Sequence, residues 1–140
     1  MKATLLLVFI AVALLGCGTT QPASLKEPRI LHTLKAEVVR AHSVAWSPDS
    51  KRIASGGDDK NVIVWDAANG EKLLSFEGHE SAVNSVTWSP EGKHIASGGE
   101  DKTVVVWDAA SGEKLRTFIG HTNSFKSVAW SPAGKCIASC

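Results

Sequence analysis

Serine, histidine and aspartate are the residues of nucleophilic hydrolysis, and His79, Ser97 and Asp101 stand close together in the chain. If they converged in space they would resemble a triad, with an imidazole taking the serine proton and a carboxylate orienting the imidazole. Such chemistry also needs an open pocket and an oxyanion hole. Ser97 falls instead inside a short strand-like run, His94-Ile95-Ala96-Ser97-Gly98, so a hydrolase is not expected. Cys136 and Cys140 lie four apart in another strand-like segment, on one face and roughly 13 Å apart along it. That exceeds the Cα separation of about 7 Å that a disulfide tolerates. One Cys-x-x-x-Cys without clustered histidines is also a poor zinc site. Bonds between molecules remain open to these two thiols in an oxidising compartment. His32, His42 and His94 are scattered through polar contexts and read as solvent-facing rather than as ligands. The Gly-Gly-Asp and Gly-Gly-Glu segments sit in hairpins rather than between a strand and a helix, so they are turn chemistry and not a phosphate cradle. No cofactor and no metal is expected.

A third cysteine, Cys17, closes an apolar run from Ala3 to Leu15 that is broken only by Thr4. The run is shorter than the ~20 residues of a membrane-spanning helix and fits the h-region of a signal peptide, with Lys2 before it. An uncleaved hydrophobic anchor, or a start placed too far upstream, is the plainer alternative. Leu14-Leu15-Gly16-Cys17 resembles the lipobox of bacterial lipoproteins. The resemblance implies cleavage before Cys17, diacylglycerol on its sulfur and an N-acyl group such as palmitate. Several acyl chains together anchor a protein stably, whereas one does so only marginally. Removing residues 1–16 takes away Lys2 and leaves 14 basic against 14 acidic residues, so charge gives the anchor no help at anionic lipid. Gly18 to Arg29, with two prolines and no apolar periodicity, reads as a spacer. The expected localisation is the cell envelope, lipid-anchored to a bacterial cell or outer membrane.

The elements that position the remaining residues repeat. The whole chain has 140 residues, Lys+Arg 15 against Asp+Glu 14, and 44% hydrophobic residues, which argues against disorder and against a basic nucleic-acid binder. Ser47–Gly78 and Ser89–Gly120 match without a gap at 22 of 32 positions. Trp46, Trp88 and Trp130 are 42 apart, as are Trp65 and Trp107, and His79 and His121. A period of this size means stacked supersecondary units that bury their faces on one another. Val83-Asn84-Ser85-Val86-Thr87-Trp88 alternates as a half-buried strand, Ser-Pro-x-Gly turns it, and Thr103–Trp107 is a β-branched strand. Four short antiparallel strands per unit are expected, making an all-β protein.

Gly78-His79, Ser-Pro-x-Gly, Ala-Ser-Gly-Gly-x-Asp and Trp107-Asp108 together resemble the WD40 repeat. The resemblance covers residues 30–140, with repeats near 37–66 and 79–108 and a truncated one at 121–140. It implies β-propeller blades, each repeat supplying the outer strand of one blade and three strands of the next. Strands are then expected near 30–34, 42–46, 52–56, 61–65, 72–76, 83–88, 94–98, 103–107, 114–118, 125–130 and 136–140. These make two complete blades, a leading outer strand and a trailing half-blade. His79, Ser97, Asp101 and Trp107 take the positions of the family's structural tetrad. In such a tetrad the indole N–H, hydroxyl, imidazole and carboxylate satisfy one another. The neighbouring repeats carry partial tetrads: Ser55, Asp59 and Trp65 with Glu37 in the histidine position, and His121 with Ser139. The tetrad repeats once per blade, as a structural element would. The tryptophans are expected to be buried by the repeat rather than free to stack on nucleic acid.

By the same resemblance, Asp58 and Glu100 before the tetrad aspartates, and His42, Asn84 and Lys126 at the first strands, approach the partner-binding face. They are mixed in charge and name no partner. The expectation is a non-catalytic, membrane-tethered module that binds an unidentified protein. A truncated or pseudogene fragment of a longer protein, and an accessory or sensor part of an enzyme encoded elsewhere, are the alternatives. Closed propellers typically have four to eight blades. Two and a half blades therefore expose apolar flanks and an unpaired edge, to be closed by self-association or by a lost portion of chain; loss is favoured, because the chain stops within a strand.

Overall fold

The computed structural model describes residues 40–140. The signal, spacer and leading-strand segments, with Cys17, His32 and Glu37, lie outside the described residues. Ten strands follow in order: β1 Ala41–Trp46, β2 Arg52–Gly57, β3 Val62–Asp66, β4 Lys72–Phe76, β5 Val83–Trp88, β6 His94–Gly99, β7 Thr103–Asp108, β8 Lys114–Ile119, β9 Val128–Trp130 and β10 Ile137–Ser139. They form two four-stranded antiparallel meanders, β1-β2-β3-β4 and β5-β6-β7-β8, and a two-stranded sheet of β9 and β10. These are blade 1, blade 2 and a half-blade.

Central strands are buried on both faces, and their composition follows. β3 carries Val62-Ile63-Val64-Trp65 and β7 carries Val104-Val105-Val106-Trp107, all buried, while β2 and β6 are small and apolar beside them. The outer strands β4 and β8 are mostly exposed. Each Ser-Pro turn is tied back by its serine: the Oγ of Ser47, Ser89 and Ser131 accepts the N–H of Arg52, His94 and Cys136 at 2.9, 3.0 and 3.0 Å. The turn then needs a left-handed residue, filled by Gly92 (φ 72°) and Gly134 (φ 69°) but by Ser50 (φ 58°) in blade 1.

The main core lies between the two complete blades. Ala54, Val62, Val64 and Phe76 of blade 1 meet Val83, Val86, Trp88, Ile95, Val105 and Trp107 of blade 2. Polar bonds recur across the seam. The Val86 N–H donates to Ser43 Oγ at 3.1 Å, and one repeat later the Val128 N–H donates to Ser85 Oγ at 3.1 Å. The indole of Trp88 donates to the Ala45 carbonyl at 3.1 Å.

Three expectations need correction. The strands expected at 125–130 and 136–140 shrink to three residues each, because the Phe125 N–H bonds across to Gly99 of blade 2 and, among the described residues, no strand pairs with β10 beyond β9. Cys136 and Cys140 consequently flank β10 rather than lying within it, and both are exposed free thiols. Burial of the tryptophans is uneven: Trp65, Trp88 and Trp107 are buried, but Trp46 and Trp130 are only half-buried. Ala45 and Arg52 of the preceding sheet cover Trp88, and no described sheet stands in that place before Trp46.

Candidate functional site

The tetrad residues come from four places in blade 2. His79 precedes β5, Ser97 lies in β6, Asp101 in the β6–β7 turn and Trp107 in β7. The Trp107 indole donates to Ser97 Oγ at 2.8 Å, and that hydroxyl meets His79 Nε2 at 2.7 Å. His79 Nδ1 in turn meets Asp101 Oδ2 at 2.8 Å. With the carboxylate on Nδ1, the proton sits there and Nε2 accepts from the serine hydroxyl. The Asp101 carboxylate also accepts the Glu80 N–H at 2.9 Å and the Thr103 N–H and hydroxyl at 3.0 and 2.8 Å. Burial pushes the Asp101 carboxyl up, but the Thr103, Glu80 and His79 bonds outweigh it and hold the group below the usual aspartate value.

The order of Ser97, His79 and Asp101 is that of a catalytic triad, yet its surroundings are those of a buttress. Ser97 is 0% exposed, and its oxygen already accepts the Trp107 indole. A substrate carbonyl has no approach to it. What the chain of bonds can do is fix β5, β6, β7 and the turn between them in one arrangement.

The other repeats hold less. In blade 1, Trp65 donates to Ser55 Oγ at 2.8 Å, while among the described residues Asp59 makes only a long bond from the Asn61 N–H at 3.4 Å. Burial dominates at Asp59, opposed by that N–H, and its carboxyl is raised above the usual value. In the half-blade, His121 Nε2 and Ser139 Oγ stand 3.4 Å apart and both residues are exposed.

The ladder ends bring the expected partner-facing residues to one rim. The Asp58 N–H bonds to the Arg40 carbonyl, the Glu100 N–H to Ala82 and the Lys126 N–H to Cys140, so each turn closes beside the start of its inner strand. His42 Nε2 contacts Asp58 Oδ1 at 2.6 Å on the surface. Asn84 is half-buried and donates to the Phe125 carbonyl at 2.9 Å, bridging blade 2 to the half-blade. Glu100 and Lys126 are exposed. His94 pairs with Glu91 at 3.1 Å and stacks on Trp130.

Two residues that carry the geometry have weaker sequence signals. Thr103 binds the Asp101 carboxylate through both its N–H and its hydroxyl; its repeat partner is Asn61. Arg52 lies over the Trp88 ring at 4.7 Å and donates to the Ala109 carbonyl at 3.2 Å. Only the 42-residue offset pointed to it, because His94 takes its place in the next repeat and stacks on the next tryptophan, Trp130.

The chain is similar to several proteins over its repeats. It is 43% identical over 61 residues to the "Probable serine/threonine-protein kinase PkwA" of Thermomonospora curvata, covering 44% of this chain and 8% of that protein. It is 42% identical over 52 residues to "Topless-related protein 1" of Arabidopsis thaliana, covering 36% of this chain and 5% of that one. Among solved structures, that of U3-55K superposes with a TM-score of 0.72 at 28% identity, covering 76% of this chain and 34% of that chain. The WD40 repeats of RRP9 superpose with the same TM-score at 29% identity and the same coverage. The chain thus spans about a third of the solved relatives and a small part of the curated ones. The family model for the WD domain, G-beta repeat, matches residues 29–66, 70–108 and 112–140, and the chain belongs to the WD40-repeat family.

Proposed function

We propose that this WD40-repeat chain is a membrane-tethered, non-catalytic protein–protein interaction module of the bacterial cell envelope. WD40 domains mediate protein–protein contacts and are mostly non-enzymatic. In this reading Cys17 carries the lipid, residues 18–29 hold the repeats off the membrane, and the rim of His42, Asp58, Asn84, Glu100 and Lys126 meets the partner. The observation that carries it is the contrast between that rim and the tetrad. The His–Ser–Asp set is sealed and saturated, while Glu100 and Lys126 stand exposed at neighbouring ladder ends.

A photo-crosslinker at Glu100 should capture a protein partner in cells, and one at Lys72 on the outer strand should not. Equal capture from both positions would remove the rim from the account. Palmitate labelling should vanish in Cys17→Ser; labelling that survives would remove the lipid anchor. A second reading, an accessory or sensor part of an enzyme encoded elsewhere, is favoured by the match to a protein whose name is that of a kinase. It predicts kinase activity co-purifying with the chain, lost when the rim is altered.

A further inference from the structure

The asparagines of the chain are Asn61, Asn69, Asn84 and Asn123, and only Asn69 is followed by glycine. An asparagine can lose its side-chain amide when the next backbone nitrogen attacks Cγ, expels ammonia and closes a succinimide ring. A side chain on the following residue crowds that attack, and glycine has none. Asn61 precedes the buried, β-branched Val62, and the Asn84 amide is committed to the Phe125 carbonyl at 2.9 Å. Asn123 is exposed but precedes Ser124.

Asn69 is exposed in the loop between β3 and β4, and Gly70 after it is left-handed at φ 74°. Asp66 gathers the loop. Its Oδ1 accepts the Ala68 and Asn69 N–H groups at 2.7 and 3.1 Å, and its carbonyl accepts the Gly70 N–H at 2.9 Å. Glu71 holds the Asn69 amide at both ends. Its N–H donates to Asn69 Oδ1 at 2.9 Å, and its Oε2 accepts from Asn69 Nδ2 at 3.1 Å. Both contacts suit the amide for attack. The N–H stands where the tetrahedral adduct gathers negative charge. The carboxylate lies within hydrogen-bond reach of the departing nitrogen and can carry a proton to it. Against attack stands the bond from Gly70 to Asp66, one backbone bond in an exposed loop, of the kind that opens locally.

We propose that Asn69-Gly70 is a self-modification site, at which the folded chain converts Asn69 to aspartate and isoaspartate with Glu71 as proton carrier. The Gly70 nitrogen, freed from the Asp66 carbonyl, forms a bond to Asn69 Cγ and yields its proton to the Glu71 carboxylate. Glu71 returns that proton to Nδ2, the Cγ–Nδ2 bond breaks with its electron pair, and ammonia leaves. Water then opens the ring at either carbonyl and leaves one new carboxylate. The product has lost the donor to Glu71 and adds a third carboxylate beside Asp66 and Glu71. The sister loop of blade 2 keeps the frame without the amide. Asp108, Gly112 and Glu113 recur there, and the Glu113 N–H meets Ser111 Oγ at 3.2 Å. The proposal does not depend on the rim or on the lipid anchor.

The test is peptide mapping by mass spectrometry of the full chain aged at neutral pH, with isoaspartate resolved by chromatography. Asn69 should convert about tenfold or more faster than Asn123. Glu71→Gln, an exposed change that keeps the backbone N–H, should slow the conversion about tenfold. In urea the two chains should age alike, because the contact belongs to the fold. Ser111→Asn should add a second site in blade 2. Conversion of Asn69 no faster than that of Asn123, or equal rates in the folded chain and in Glu71→Gln, overturns the proposal. So does a Glu71→Gln effect that persists in urea, or a Ser111→Asn loop that stays intact.

Discussion

Phe76 and Phe118 hold the same place in successive repeats, yet Phe76 is 2% exposed and Phe118 is 48% exposed. The tryptophans that follow differ in the same way. Trp88 donates to Ala45 and lies beneath Arg52, whereas the indole N–H of Trp130 is buried and finds no partner among the described residues. The residues are alike, and the neighbour is not. Blade 2 covers blade 1 with four strands, but among the described residues only the two strands β9 and β10 cover blade 2. A blade face of this chain is thus a half-built core whose burial is decided by the sheet beside it. The tetrads add a second contrast. Asp101 has His79 and Thr103 as partners and is held acidic, while Asp59 lacks both and is pushed the other way.

The largest effect should separate the two phenylalanines. Phe76→Ala should cost about 3–5 kcal/mol, as a buried aromatic does, and Phe118→Ala only about 0.5 kcal/mol. Urea unfolding measures both, and equal costs would break the comparison. Next comes the tetrad. His79→Ala should cost about 1–3 kcal/mol by leaving Ser97 and Asp101 unsatisfied, while His121→Ala should stay within about 0.5 kcal/mol. An unchanged melting curve for His79→Ala would remove the buttress role.

Acid should sharpen the contrast between the aspartates. A folded-state carboxyl below the ordinary 3.8 releases its proton more readily than the unfolded chain does. Asp101 therefore contributes stability above that value, and the contribution is lost as pH falls through the lower folded value. Asp59, raised in the fold, favours the folded state below 3.8 and loses that contribution as pH rises through its folded value. Urea midpoints from about pH 7 down to about pH 3 should fall less steeply in Asp101→Asn than in the unaltered chain, and more steeply in Asp59→Asn. Identical profiles would show that the two sites are equivalent.

The smallest effect concerns the left-handed turn position. Ser50→Gly should raise stability by roughly 0.5–1 kcal/mol, because Gly92 and Gly134 already relieve that strain in their turns. A loss of stability would mean that Ser50 has a contact beyond its turn.

The repeat made the blades legible in the sequence. Val83–Trp88 and Lys72–Phe76 are strands with the expected bounds, because alternation and fixed turn residues act within a few residues. The half-blade was not legible to the same degree. Phe125 looks like a strand residue in sequence, but its N–H goes to Gly99 of blade 2, a choice set by a contact distant in the chain. Likewise no periodicity says that Trp65 is buried and Trp46 only half so; packing across sheets decides that. The His79–Ser97–Asp101–Trp107 chain was readable from its types and positions, whereas the Thr103 hydroxyl and the Arg52 stack depend on side-chain directions visible only in the fold.

Native-state hydrogen exchange at two sister amides tests the central claim, that the adjoining sheet sets the stability of each blade face. Ala96 in β6 and Ala138 in β10 sit at the same repeat position, each paired to its inner strand. Ala96 has β7 on its other side, whereas no described strand lies on that side of Ala138. The Ala138 amide should exchange about 100-fold faster than that of Ala96, with the half-blade opening well below the global unfolding free energy. Equal protection at the two amides would contradict the account.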